Sequence, residues 1–141
     1  VSTESRAHLE VGYELPAKAF TVQRSDLVRY AGASGDFNVI HWNERIATDV
    51  GLPNVIAHGM LTMALAGQVV TDWLGDPGAL LEFGVRFTRP VVVPDDGVGA
   101  TIEVTAKVTR IDEAGTAQVT VTATCEGSTV LGKAQALIRL A

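Results

Sequence analysis

The sequence predicts an α+β fold in which one long apolar helix packs against a curved antiparallel sheet. Two observations carry this expectation. Residues 59–74 (GMLTMALAGQVVTDWL) contain no proline and run into Gly-Asp-Pro-Gly, as expected for a helix of about four turns with a firm stop. Downstream of it, three segments alternate apolar and polar residues with period two, the pattern of strands with one buried face.

Taken in order, the opening ten residues are polar and expected to be loose. KAFTV (18–22) is a short extended segment. Ser25 is a candidate N-cap for a helix over 26–31, with Asp26 in the first turn, where the helix dipole favours a carboxylate. GASGD (32–36) then breaks that helix. Asn43 is placed to cap a second short helix through Val50, closed by Gly51 and Pro53. In the 59–74 helix, Met60, Leu61, Met63, Leu65, Val69, Val70 and Leu74 do not keep to one face, so burial on most sides is expected. LLEFGVRFTRPVVV (80–93) reads as one long strand with a bulge at Gly84 and a bend or edge at Pro90. The remaining strands place Ile102, Val104, Ala106 and Val108 inward, then Val119, Val121, Ala123 and Cys125, then Ala134, Ala136, Ile138 and Leu140.

Composition narrows the function classes. The 141 residues are 47% hydrophobic and 19% charged, which suits one domain spanning 1–141 and excludes wholesale disorder. The net charge of −5, without a basic run, argues against nucleic acid or an anionic membrane surface as partner. One cysteine, Cys125, excludes an intrachain disulfide and suits a reducing cytosol; by alternation it is a small core residue. No secretory signal is visible, and no apolar run reaches about 18 residues. A soluble cytoplasmic protein is expected.

Three features have chemical potential. In YAGASGDFNVIH (30–41), Asp36 and His41 are an acid–base pair of the kind that activates water, with Asn38 bracing the loop between them. The same residues are also ordinary loop formers. AHGM (57–60) opens the apolar helix. There the free N–H groups and the dipole favour a developing negative charge, and Gly59 leaves its own N–H unshielded. The alternative is that Gly59 only permits a tight turn and His58 is a structural histidine. Asp36, His41 and His58 also make the donor set of two imidazoles and one carboxylate, but their order and spacing match no ligand motif, so no metal is expected.

The motif YAGASGDFNVIH, followed by IAHGMLTM, WLGDPGA and VRFTRPVVVP, resembles the MaoC-like branch of the hotdog superfamily over residues 11–140. These are (R)-specific enoyl-thioester hydratases and 3-hydroxyacyl-thioester dehydratases. The likeness is strongest to catalytic B-type subunits of the 3-hydroxyacyl-carrier-protein dehydratase in actinobacterial type II fatty acid synthesis. The resemblance rests on Tyr30, Gly35, Asp36, Asn38 and His41, and it departs at Val39, where the family usually has Pro. It implies that Asp36 and His41 hold water against C3 of a trans-2-enoyl thioester while Gly59 polarises the thioester carbonyl. Asn38, His58 and Gly35 would support them. It also implies no metal or organic cofactor, a coenzyme A or carrier-protein thioester as substrate, and a homodimer or a heterodimer with another hotdog chain. A strand edge and a helix end left uncovered by a single sheet argue for the same pairing.

Other residues divide more evenly. Ala64, Ala66 and Gly67 leave room either for an acyl chain or, the favoured reading, for close approach of strands. Some relatives place a Ser where Gly67 stands, so no hydroxyl role is assigned there. Arg86, Arg89 and Lys133 are read as solubilising charges, with phosphate or a carrier surface as the alternative. Trp42 and Trp73 are read as packing. Two rival classes remain: a thioesterase, which attacks the carbonyl instead of C3, and a non-catalytic binding or structural subunit.

Overall fold

In the computed structural model, which describes Arg6 and residues 8–140, the chain forms a six-stranded antiparallel sheet with one long helix laid across it. Strand β1 (Glu14–Val22) leads into α1 (Arg24–Ser34), a 3-10 turn (Val39–His41) and the short α2 (Glu44–Asp49). The long helix α3 (Gly59–Leu74) follows, then a 3-10 turn (Pro77–Ala79) and β2 (Leu80–Phe87). Strands β3 (Ala100–Ile111), β4 (Thr116–Cys125), β5 (Ser128–Thr129) and β6 (Leu131–Arg139) complete the sheet in the order β1-β3-β4-β6-β2, with β5 paired to β4. Most of the N-terminal segment expected to be loose lies outside the described residues.

The alternation seen in the sequence becomes the inner face. Ile102, Val104, Ala106 and Val108 are buried, as are Ala117, Val119, Val121 and Ala123 on β4 and Ala134, Ala136 and Ile138 on β6. Register aligns them across strands: Val108 faces Val119, Val119 faces Ala136, and Ala136 faces Phe83. The many alanines in these rows keep the inner surface low, which lets α3 lie close to the sheet. Cys125, at the end of β4, is only partly buried against this core, and burial raises its thiol pKa.

The structure redraws two elements expected from the sequence. Helix α1 starts at Arg24 instead of 26, because the Gln23 backbone N–H donates to Asp26 at 2.8 Å and moves the cap two residues upstream of Ser25. It also runs through Gly32 to Ser34 and ends at Gly35. The 80–93 run is not one strand: β2 stops at Phe87, and the chain leaves the sheet at Arg89–Pro90. Proline has no N–H with which to continue the ladder. Val91–Val93 pairs instead with the segment before α3, Ala57 N–H to Val91 O at 2.8 Å and Val93 N–H to Val55 O at 2.9 Å. The bulge expected near Gly84 is present as a register shift between Gly84 and Arg86.

Helix α3 is covered on one side only. Thr62, Ala66, Gly67, Val69, Val70, Trp73 and Leu74 face the sheet. Met60, Ala64, Gln68 and Asp72, four residues apart and therefore in one stripe, face solvent. A single sheet has only one inner face to offer, so burial on most sides is not achieved within this chain. Among the described residues no helix is long and apolar enough to cross a membrane.

The fully buried Ile102 lies on this inner face, paired with Phe20 of β1 on one side and Cys125 of β4 on the other. Ile102→Ala is expected to lower unfolding free energy by about 2–5 kcal/mol, through lost transfer energy and an unfilled cavity, as read from urea denaturation.

Candidate active site

Three segments distant in sequence form one cleft. The first is the loop from Gly35 to His41. Gly35 holds φ at +76°, a left-handed conformation that side chains rarely adopt, and its N–H closes α1 on the Ala31 carbonyl at 2.9 Å. The chain thus turns sharply just before Asp36. Local hydrogen bonds then set the loop: Asp36 Oδ1 accepts the Asn38 N–H at 3.1 Å, and Asn38 Oδ1 accepts the Ile40 N–H at 3.3 Å. Asn38 thereby opens the 3-10 turn that delivers His41. Val39 takes the first position of that turn, where a proline is also tolerated. Trp42, instead of packing inside, is exposed and donates Nε1–H to the Phe37 carbonyl at 3.1 Å, latching the loop from outside.

The second segment is 55–57, the strap held by Val91–Val93. Its other edge takes the turn: Ile56 N–H donates to the Ile40 carbonyl at 3.3 Å, and the Ile56 carbonyl lies 2.8 Å from His41 Nδ1. A ring nitrogen facing a carbonyl oxygen carries the proton, so Nδ1–H donates and Nε2 keeps its lone pair. Nε2 lies 4.0 Å from Asp36 Oδ2. That is too long for a direct hydrogen bond and a distance one water can bridge. The His41 side chain is 8% exposed, whereas the Asp36 carboxylate is 54% exposed at the cleft. Burial lowers the His41 pKa below 6.5; the Ile56 hydrogen bond opposes this, neighbouring His58 adds to it, and Asp36 opposes it.

The third segment is the N-terminus of α3. Its first i to i−4 bond is Thr62 N–H to His58 O at 3.2 Å, so the amides before it lack such a partner. Gly59 lines the cleft with Asp36, His41 and Thr62, in a volume of about 410 Å³. A Cβ at Gly59 would lie 3.0 Å from the Phe87 ring, so a side chain at this position would require the ring to give way.

His58, the cap residue of α3, lies behind the pair. It is 1% exposed, its Nε2 is 3.0 Å from the Asp36 backbone carbonyl, and its ring stacks on His41 with centroids 3.7 Å apart. Among the described residues, Asp36, His41 and His58 are the group whose potential ligand atoms lie within 4.8 Å of one another. Stacked imidazoles aim their lone pairs side by side instead of at a common point, and one nitrogen of each already serves a carbonyl. The set fits an acid–base pair with a supporting ring better than it fits a chelate.

Comparison with known proteins identifies the family. The MaoC-like domain family matches residues 8–126, which contain all three site segments. The chain belongs to the MaoC-like family. Among its relatives, a 3-hydroxyacyl-thioester dehydratase X of Mycobacterium tuberculosis is 37% identical over 56% of this chain and 27% of the relative. An (R)-specific enoyl-CoA hydratase of Rhodospirillum rubrum is 37% identical over 64% of this chain and 62% of the relative. A solved MaoC-like dehydratase superposes with a TM-score of 0.92 at 43% identity, covering 96% of this chain and 42% of that one. The chain therefore spans only part of each relative's length. Its α+β architecture is the hotdog fold of the MaoC-like proteins.

The structure brings Asp36, His41 and Gly59 to one cleft, with Gly35 and Asn38 in the loop that carries Asp36 and with His58 buried behind it. It separates the three cations grouped by sequence. Arg89 lines the cleft, whereas Arg86 and Lys133 lie with Arg110 along a depression formed by β2, β3, β4 and β6. Gly67 leaves space that Phe83 takes, its ring 3.1 Å from where a Cβ would be, which is close strand approach at that residue. Sequence reasoning missed Thr62, Phe87 and the Ile56 carbonyl. Thr62 stands one turn beyond Gly59 and was legible from helical spacing, but Phe87 and Ile56 reach the cleft through tertiary pairing alone.

Gly59→Ala is expected to lower Tm through overpacking worth about 1–3 kcal/mol. Phe87→Ala should restore part of that loss in the double mutant, and thermal unfolding of the four-member cycle reads the coupling.

Proposed function

We propose that the chain catalyses the reversible hydration of trans-2-enoyl thioesters to (R)-3-hydroxyacyl thioesters, carried on coenzyme A or a carrier protein. The observation that carries this is the tautomer of His41. Its Nδ1–H is committed to the Ile56 carbonyl, so an unprotonated Nε2 faces Asp36 across a gap of one water. The activities named for the dehydratase and hydratase relatives support the reaction class, and the hydratase relative supports the (R) outcome.

In hydration, Asp36 Oδ2 orients the water and His41 Nε2 takes its proton as the oxygen bonds to C3 of the substrate. The C2–C3 π pair moves toward the thioester carbonyl, whose oxygen gains negative charge at the Gly59 N–H and the positive end of α3. As that charge collapses, the Asp36–His41 pair returns the proton taken from the water to C2, which leaves the pair as it began and water added across the bond. Dehydration runs the same steps backward. No step calls on a metal or organic cofactor.

The cleft is open on the side where Met60 and Phe87 are exposed, and β2 is an edge strand. A second hotdog chain, identical or different, is the partner that suits this face. A heterodimeric subunit without activity of its own is the second reading. A thioesterase would instead release free thiol from acyl-CoA. A non-catalytic subunit would hydrate nothing, alone or with a partner.

The first test is loss of enoyl absorbance with crotonyl-CoA and a long trans-2-enoyl-CoA, with product chirality determined. Either His41→Ala or Asp36→Asn should lower kcat/KM by about 10²–10⁴-fold while leaving the fold intact. Near-normal turnover by folded His41→Ala overturns the mechanism. The base works only when neutral and burial lowers its pKa from 6.5, so the acid limb of kcat/KM should have its midpoint below pH 6.5. A pH–rate profile with its acid limb above 6.5 would contradict that assignment of the base.

A further inference from the structure

We infer that His58 is a positioning residue for the reaction proposed above, its imidazole joining the two halves of the Asp36–His41 pair into one rigid unit. The inference rests on that functional reading for its kinetic consequences, but the geometry stands independently.

His58 touches both halves at once. Its Nε2 lies 3.0 Å from the backbone carbonyl of Asp36, twenty-two residues away, and must be the donor in that bond. Its ring face lies against His41 at a centroid distance of 3.7 Å and an interplanar angle of 22°. Its other side is met edge-on by Tyr30, at 4.9 Å and 61°. The imidazole is therefore clamped between the helix that precedes the loop and the base that ends it. Asp36 is half-exposed and sits in a loop held mainly by its own short-range bonds, so the His58 bond is its tie to the buried layer.

Packing alone does not account for an imidazole here. His58 Nδ1 is buried and has no hydrogen-bond partner among the described residues. An apolar ring of similar size would leave no buried nitrogen unsatisfied, so on packing grounds it is the better residue. What an apolar ring lacks is the Nε2–H donor aimed at Asp36. The flat face matters as well. It seats His41 so that the Ile56 bond and the Nε2 lone pair stay aligned, and a misplacement of about 1 Å at such a pair costs up to ~10²-fold in rate.

The charged and titratable groups facing this ring are few: the Asp36 carboxylate and the His41 imidazole from the loop, and the Tyr30 phenol from α1. His58 touches no position that the substrate is expected to occupy, since the cleft wall is made by Gly59, Met60 and Thr62 from its own helix.

Two variants separate its functions. His58→Phe keeps a flat ring and removes the donor. His58→Gln keeps an N–H that reaches the Asp36 carbonyl and removes the stacked ring. With crotonyl-CoA, His58→Phe is expected to lose about 10²-fold in kcat with KM within roughly threefold, and His58→Gln to recover about tenfold of that loss. Equal losses in the two variants that track their Tm would make His58 a packing residue and overturn the inference, as would unchanged kcat in folded His58→Phe. Independently of activity, long-range ¹H–¹⁵N correlation on the wild-type chain at pH 7.5 should show His58 protonated at Nε2 alone and His41 at Nδ1 alone. A His58 ring protonated at Nδ1 overturns the inference whatever the kinetics. If the wild type hydrates no thioester but shows these tautomers, the functional reading fails while the positioning geometry survives.

Discussion

The hydrogen bond from His41 Nδ1–H to the Ile56 carbonyl is the constraint on which the rest of the site depends. It fixes the tautomer of the base with a backbone group instead of a carboxylate. In a serine-protease triad, the acid is used up in orienting the imidazole. Here a carbonyl does that work, and Asp36 is left to face the cleft from the other side. The carbonyl is itself held in place. Residues 55–57 are pinned between Val91–Val93 and the 40–41 turn. Arg24 ties the same region together, donating to Glu44 at 3.1 Å, to Asn54 at 2.7 Å and to the Val93 carbonyl.

A second constraint sets the helix relative to the sheet. Two phenylalanines of β2 meet two glycines of α3: Phe87 lies against Gly59, and Phe83 against Gly67. Eight helical residues span about 12 Å and four strand residues about 13 Å, so the two pairs fit in one antiparallel alignment. The Gly59 pair also borders the cleft, because Gly59 and Phe87 both line it. Alanines along β3, β4 and β6 let the helix settle to this depth, and larger residues there would lift the α3 N-terminus away from Asp36 and His41.

The same arrangement leaves one flank bare. The exposed Met60 and Phe87 side chains place apolar surface at the cleft itself. Clustered exposure of this kind marks a binding face more often than scattered residues do. Its position beside the cleft links whatever covers it to substrate access.

By itself the sequence determined the α+β class, the bounds of α3 and the inward alternation of β3, β4 and β6. These follow from periodicity, and a local pattern is sufficient when burial repeats every two or every 3.6 residues. It also determined the loop that carries Asp36, Asn38 and His41, because Gly35 and the Asx-type bonds act within a few residues. Tertiary structure alone decided which groups those side chains meet. That Pro90 sends Val91–Val93 to residues 55–57, that the Ile56 carbonyl sets the His41 tautomer, and that His58 stacks on His41 are all contacts between distant segments with no periodic trace in the chain. The separation of Arg89 from Arg86 and Lys133 has the same origin. Arg89 lies beyond the end of β2 at Phe87, where the chain turns off the sheet, whereas Arg86 stays on the strand.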